Sequence, residues 1–392
     1  MPDKIILVGE EGPDLKEIKL LCERIDMEIM KSIKPSSDRD PSHYLGKGRL
    51  EDLEEELRKQ EDISKVVVAE GLDFSTKHRL QKKIGPKLLD RGDIVLQVFE
   101  KEGGSSLTGH QIERARLERK MPMLRKKETS LKNFVEPAKR TLKNLDKKIE
   151  REKEKFEESM DRLLNRGYLS FSFLGYTNAG KSTFFNYLSE EEIDVKDELF
   201  TTLKQNSKVV RIHGYPCLMI DTLGLFKEIP HELMPAFHST LYAAKESDFP
   251  LLILDSTEEE QRIKDKLEVS VETLQDLGID EPIPVFNKID RKKPTESKKR
   301  MVESMVGKEP FSISAATGEG VDELTGSLLD SLELSDRSFE IHYRDNPDRI
   351  INKVSDLPLK MDIEKGSHVV SLKVIGKSKA VEELVRLVEK LR

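Results

Sequence analysis

The stretch Leu169-Ser-Phe-Ser-Phe-Leu174-Gly175-Tyr-Thr-Asn-Ala-Gly180-Lys181-Ser182-Thr183 decides the fold. An apolar run of strand length, a loop bounded by two glycines and a helical pattern opening at Thr183 give the strand–loop–helix context that the phosphate loop GxxxxGK[ST] requires. The glycines let backbone N–H groups turn inward around phosphates, Lys181 reaches the β and γ oxygens, and the Ser182 hydroxyl coordinates Mg²⁺. The phosphate-binding set is Gly175, Asn178, Ala179, Gly180, Lys181, Ser182 and Thr183, with Lys181 also assigned to catalysis.

Further along, Cys217-Leu-Met-Ile220-Asp221-Thr222-Leu223-Gly224 reads as a buried strand ending in DxxG. That places Asp221 in the Mg²⁺ shell and the Gly224 amide where it senses a γ-phosphate. The next core strand ends in NKxD, Asn287-Lys288-Ile289-Asp290. The Asp290 carboxylate accepts hydrogen bonds from guanine N1–H and the 2-amino group, while Asn287 and Lys288 brace the loop. Adenine offers no such pair of donors and would leave a buried carboxylate unpaired, at about 1–3 kcal/mol or more. After the strand Phe311–Ile313, Ser314-Ala315-Ala316 supplies a backbone N–H for the guanine O6. Between Ser182 and Asp221, Glu198-Leu-Phe200-Thr201-Thr202-Leu203 contains two adjacent threonines, either of which suits closure over Mg²⁺ and the γ-phosphate. These segments, in this order, predict a site for GTP and GDP with Mg²⁺.

The residue after DxxG, in many such sites a glutamine that orients the attacking water, is Leu225, followed by Phe226. Slow intrinsic hydrolysis is the expectation, completed by a group from a partner or by a rearranged switch. Asn178 is also a candidate ligand for K⁺, supplying a cation where other GTPases use an arginine finger. His231 and His238 read as capping or packing residues near the second switch.

From Gly167 to about Leu332 strands alternate with helices, which predicts a mainly parallel, doubly wound α/β sheet with ligands at the carboxyl ends of its strands. The first hundred residues alternate in the same way and predict a small α/β domain. There, the glycine-containing stretch His43–Arg49 reads as a helix-capping turn in preference to an anion site. From Asp93 to Arg166 strand signals vanish. Leu131, Phe134, Ala138, Leu142, Leu145, Ile149, Phe156, Met160 and Leu163 recur at three- and four-residue steps. With Pro137 placed in the first turn of that helix and an earlier helix from about His110 to Lys127, an antiparallel coiled-coil arm follows. Phe339–Arg392 reads as a small βαββα domain. The expected boundaries are 1–92, 93–166, 167–334 and 335–392.

The net charge of −7 is uneven, since Gln111–Lys155 carries 16 Lys or Arg against 8 Asp or Glu. A basic arm on an acidic body suits a polyanion such as RNA, although a solvated helix surface or a mere spacer accounts for the counts equally well. Two distant cysteines and no CxxC spacing exclude a disulfide framework or zinc site. No apolar stretch nears the roughly 20 residues of a membrane span, so a cytoplasmic, monomeric protein without integral membrane association is expected.

The loop Gly175–Thr183, Phe200-Thr-Thr-Leu203, Asp221-Thr-Leu-Gly224, Pro230-His-Glu-Leu and Ala236-Phe-His-Ser-Thr240-Leu together resemble the HflX family of ribosome-associated GTPases. The likeness extends back to Tyr44-Leu-Gly-Lys-Gly and Leu89-Asp90-Arg91. It implies Thr202 as the switch threonine, with catalytic and metal-binding roles. It further implies binding to the large ribosomal subunit and its RNA, and separation or rescue of stalled ribosomes under stress. The family's RGPGE-containing segment is missing, and Phe339–Arg392 has no counterpart in shorter members. Two other functions fit the same residues: a ribosome-assembly or anti-association switch, and a GTPase docking on a protein or membrane partner through its coiled coil.

Overall fold

The computed structural model describes residues 2–35, 44–60, 62–102, 106–126, 132–189, 207–222, 224–225 and 241–391. They fall into two compact units, one running to Glu152 and the other starting at Lys153.

In the first unit, strands β1 (Asp3–Val8), β2 (Met27–Ile33), β3 (Lys65–Val68) and β4 (Lys87–Leu89) form a parallel sheet in the order β2-β1-β3-β4. Ile5–Val8 and Val66–Val68 are fully buried, as continuous apolar runs in a parallel sheet covered on both faces should be. Helices α1 (Pro13–Arg24), α2 (Lys47–Lys59) and α3 (Phe74–Lys83) link the strands, and Gly46 is the N-cap of α2. Two elements escape the sequence pattern. Strand β4 has only three residues. Helix α4 (Arg91–Glu102) buries Ile94, Val95, Leu96, Val98 and Phe99, so its polar stripe is narrowed to Asp93, Gln97, Glu100 and Lys101 beside a mostly apolar run and marks the helical period only weakly. It runs across the expected boundary at residue 92 and packs against α1.

Asp90 and Asp93 open α4 with reciprocal bonds. The Asp93 N–H donates to Asp90 Oδ1 at 3.0 Å and the Asp90 N–H to Asp93 Oδ2 at 3.1 Å, a capping box made by two acids. Asp90 also accepts Arg119 Nη2 at 2.7 and 2.9 Å, and Lys77 lies 3.2 Å away. Burial pushes the Asp90 carboxyl up. It acts the same way on Asp93, but Lys77 and Arg119 outweigh it there and hold that carboxyl low.

Helices α5 (Ser106–Lys126) and α6 (Lys132–Asn165) run antiparallel. Ser106 bonds Glu152 at 3.0 Å, His110 meets the same carboxylate at 3.1 Å, and Arg114 bonds Asp146 at 2.7 Å, so rising numbers on α5 meet falling ones on α6. Ala138, Leu145 and Ile149 are buried along the seam. Pro137 lies inside α6 and not in its first turn, because the helix already starts at Lys132. The ring removes one bond to the Asn133 carbonyl, a local defect in a helix of 34 residues.

In the second unit, β5 (Leu169–Leu174), β6 (Ser207–Ile212), β7 (Tyr215–Asp221), β8 (Phe249–Asp255), β9 (Ile283–Asn287) and β10 (Phe311–Ser312) form one sheet. Its order is β10-β9-β8-β5-β7-β6, parallel except at the edge strand β6. Helices α7 (Lys181–Leu188), α8 (Glu260–Asp276), α9 (Glu296–Val306) and α10 (Val321–Asp330) alternate with the strands. Phe171, Phe173, Phe184 and Met219 are fully buried in the core between sheet and helices. The chain ends in β11 (Ser335–His342), α11 (Pro347–Val354), β12 (Lys360–Lys365), β13 (Val369–Gly376) and α12 (Ser378–Leu391), with an antiparallel sheet ordered β11-β13-β12. Lys377 reaches Asp248 at 2.7 Å, and Asp248 also accepts the N–H and the hydroxyl of Ser170, both at 2.8 Å. This ties α12 to the start of β5. No helix among the described residues is long and apolar enough to cross a membrane.

Two helical glycines separate packing from propensity. A Cβ on Gly92 would lie 2.1 Å from Arg119 Nη1, whereas nothing lies within 4 Å of one on Gly109. Gly92→Ala is expected to push Arg119 off Asp90 and cost about 1–3 kcal/mol of stability, while Gly109→Ala gains about 0.5–1 kcal/mol. Urea titrations followed by circular dichroism check both signs.

Candidate functional site

The site begins where β5, buried along its whole length at the middle of the sheet, gives way to Gly175. Gly175 has φ +132°, and a Cβ there would lie 2.3 Å from the Ile253 carbonyl oxygen, so only glycine fits. Helix α7 opens at Lys181, two residues earlier than expected, with Gly180 as its left-handed N-cap. The amides of Lys181, Ser182 and Thr183 are therefore first-turn donors without helical partners, at the positive end of the helix, and form a cradle for an anion.

Lys181 is only 5% exposed, and its Nζ donates to the carbonyls of Gly175 at 2.9 Å and Tyr176 at 3.1 Å. The Ser182 hydroxyl donates to Asp221 Oδ2 at 3.3 Å, so the hydroxyl and carboxylate expected around Mg²⁺ are neighbours. Among the described residues no group of three or more His, Cys, Asp or Glu can hold a metal by itself. A cation beside Ser182 and Asp221 would take its remaining ligands from phosphate oxygens and water, which is how Mg²⁺ is commonly held. Gly224 is buried against the loop, with Lys181 Nζ 3.2 Å and the Thr177 nitrogen 3.3 Å from where its Cβ would be. The Leu225 N–H donates to the Gly175 carbonyl at 3.0 Å and its side chain is 2% exposed.

At the other end of the loop Asn287 is the junction. Its Nδ2 donates to the Ala179 carbonyl at 2.9 Å, and its Oδ1 accepts the N–H of Ala315 at 2.9 Å and of Lys288 at 2.8 Å. Lys288, at φ +67°, sends Nζ to the Asn178 carbonyl and to Asp255 Oδ2, each at 2.6 Å. Ser314, fully buried, donates its hydroxyl to Asp290 Oδ1 at 2.6 Å and so orients the carboxylate expected to read guanine. Asp255 is the residue that motif reading misses. It closes β8 in register with Asn287 at the end of β9, and only that parallel pairing sets it under Lys288. Burial pushes the Asp255 carboxyl up, but Lys288 and Thr257 outweigh it and hold it below the ordinary range. Thr201, Thr202, Phe226, His231 and His238 lie outside the described residues.

A family model described as "50S ribosome-binding GTPase" matches residues 170–288, and one described as "GTP-binding GTPase N-terminal" matches residues 13–100. The chain is 28% identical over 397 residues to GTPase HflX of Methanocaldococcus jannaschii, covering 95% of each chain. It is 31% identical over 307 residues to GTPase HflX of Caldanaerobacter subterraneus subsp. tengcongensis, covering 73% of this chain and 71% of that one. Among solved structures, a GTP-binding protein of Sulfolobus solfataricus in complex with GDP superposes with a TM-score of 0.54 at 23% identity, covering 84% of this chain and 98% of that one. That likeness concerns the fold, while the sequence relatives, one above 30% identity across most of both chains, settle the kinship: the chain belongs to the HflX family of GTPases.

Proposed function

We propose that this protein is a GTP-hydrolysing switch that acts in the cytoplasm on the large ribosomal subunit, splitting or rescuing ribosomes, and turns over slowly on its own. The observation that carries the nucleotide half is the Asn287 junction, which brings the phosphate loop, Asp290 and the Ser314–Ala315 loop to one place. In this reading Lys181, Gly224 and Thr202 act on the γ-phosphate, Ser182, Asp221 and Thr202 hold Mg²⁺, and Asp290 with Ala315 reads the base. The remaining loop residues, Gly175, Asn178, Ala179, Gly180 and Thr183, cradle the phosphates, and Lys288 braces them.

The ribosomal half is supported by the description of the matched family model and by the charge of the arm. On α5 three arginines are used internally, Arg114 on Asp146, Arg116 on Glu100 and Arg119 on Asp90. On α6, Lys147, Lys148 and Arg151 form no ion pair with a described residue. With Thr141, Asn144 and Glu113 they line a cleft of about 390 Å³. Cations left unpaired beside hydrogen-bonding side chains suit phosphate and sugar contacts in RNA.

Calorimetry is expected to show GTP and GDP binding with Mg²⁺ and ATP binding far more weakly, with Asp290→Asn shifting preference toward xanthine nucleotides because an amide donates to the 2-oxo group. Equal affinity for ATP and GTP would contradict the base assignment. Glu substitutions at Lys147, Lys148 and Arg151 should weaken sedimentation with large subunits by about tenfold or more and flatten its salt dependence, with GTP affinity unchanged. Binding that ignores both the charge change and salt would leave the arm a spacer. Steady-state turnover should rise on adding large subunits. Stimulation by K⁺ over Na⁺ without subunits would instead favour a cation at Asn178, and a high basal rate indifferent to both would sink the switch reading.

A further inference from the structure

Thr177 sits inside the phosphate loop, 7% exposed, and its hydroxyl oxygen is buried with no hydrogen-bond partner among the described residues. Buried polar groups are nearly always paired, so an unpaired hydroxyl in a loop built to hold an anion asks for an explanation. Its neighbours are committed. Ser182 donates to Asp221, Thr222 donates to the Phe173 carbonyl at 2.5 Å, and the Asn178 carbonyl accepts Lys288. The position is specific too: the Thr177 nitrogen and Cα lie 3.3 and 3.4 Å from the Cβ point of Gly224, with Lys181 Nζ 3.2 Å from that point. Thr177 thus stands beside the two groups assigned to the γ-phosphate. Leu225, at the place where a glutamine would orient water, is buried and tied to the start of the loop through the Gly175 carbonyl and a bridge with Tyr176.

We infer that the Thr177 hydroxyl donates a hydrogen bond to a terminal phosphate oxygen of GTP, and that it strengthens as negative charge builds there during hydrolysis. The inference rests on the GTPase reading of this site. No proton leaves Thr177: water attacks the γ-phosphorus, the bond to the bridging β–γ oxygen breaks, and GDP and inorganic phosphate leave. Two consequences separate this role from a structural one. GDP lacks the acceptor, so the hydroxyl favours GTP over GDP, and its loss should slow chemistry more than it weakens GDP binding.

The full-length protein, Thr177→Val and Thr177→Ser are compared by single-turnover GTP hydrolysis and by titration with GDP and a non-hydrolysable GTP analogue, with thermal melts as the check on folding. Valine keeps the shape and removes the hydroxyl. It is expected to slow hydrolysis and reduce the preference for the GTP analogue over GDP, each by about tenfold or more, with GDP affinity within about twofold of wild type and serine close to wild type. If valine melts early, Thr177→Ala adds no atom to the loop and carries the same expectation. A wild-type hydrolysis rate and analogue-to-GDP ratio in both apolar variants overturns the inference, as does an equal loss of GDP and analogue binding that serine fails to restore. Failure of the unmodified protein to bind either guanine nucleotide would instead overturn the GTPase reading on which it rests.

Discussion

Asn287 is 2% exposed, and both ends of its amide are committed to backbone groups that are far apart in the chain. One end holds the Ala179 carbonyl of the phosphate loop, 108 residues away, and the other holds the Ala315 amide of the final loop, 28 residues on. A carboxamide is the side chain that donates and accepts from one planar head, so an aspartate here loses the donor and a leucine loses both. Gly180 is fixed by the same contact: besides its φ of +95°, a Cβ there would lie 2.2 Å from Asn287 Nδ2. A single buried amide thus decides where the phosphate loop lies relative to the loops that read the base. The bonds cross between strand ends that only the sheet order β10-β9-β8-β5 brings near one another.

Lys288 and Asp255 add the electrostatic part. A lysine reaching over a phosphate loop is a cation that an anionic nucleotide already welcomes, but it needs a fixed place. Asp255 supplies one from β8, and Thr257 holds the carboxylate in turn through its N–H at 2.9 Å and its hydroxyl at 2.6 Å. Since the pair is largely buried, removing the acid would leave a charge with poor solvation, so the two residues are best regarded as one unit. The opposite end of β5 is pinned by other means, through Ser170, Asp248 and Lys377. The strand that carries the phosphate loop is therefore held at both ends, and the groups meeting the nucleotide start from a rigid platform.

The first unit solves a different problem with similar chemistry. Asp90 is fully buried, and Lys77 from α3 and Arg119 from α5 converge on it while Asp93 closes the helix cap. Nearby, Arg91 bonds Glu17 of α1 at 2.5 Å. Removing one partner from a buried charge cluster of this kind leaves an uncompensated charge and is strongly destabilising, so these residues act as one unit. The sequence run Leu89-Asp90-Arg91 thus acquires a physical meaning as the place where sheet, α4 and the arm's first helix are joined.

The nucleotide motifs were legible because each is local: a glycine loop after an apolar strand, DxxG, NKxD and a serine loop state their chemistry within a few residues, and alternation of strand and helix states the fold class. The seam of α6 was legible for the same reason, since Ala138, Leu145 and Ile149 keep a regular spacing on one face. Helix α4 was hidden because its polar face is reduced to Asp93, Gln97, Glu100 and Lys101 beside a mostly apolar run, and β4 because three residues carry too little pattern. The start of α6 was misplaced because a proline signals a first turn only on average, and a long helix absorbs one missing bond. Asp255 under Lys288, Ser314 on Asp290 and the unpaired hydroxyl of Thr177 belong to the tertiary structure alone. Each depends on which strand ends lie side by side and which loops share a surface, and these distances are set by sheet order and packing, not by separation along the chain.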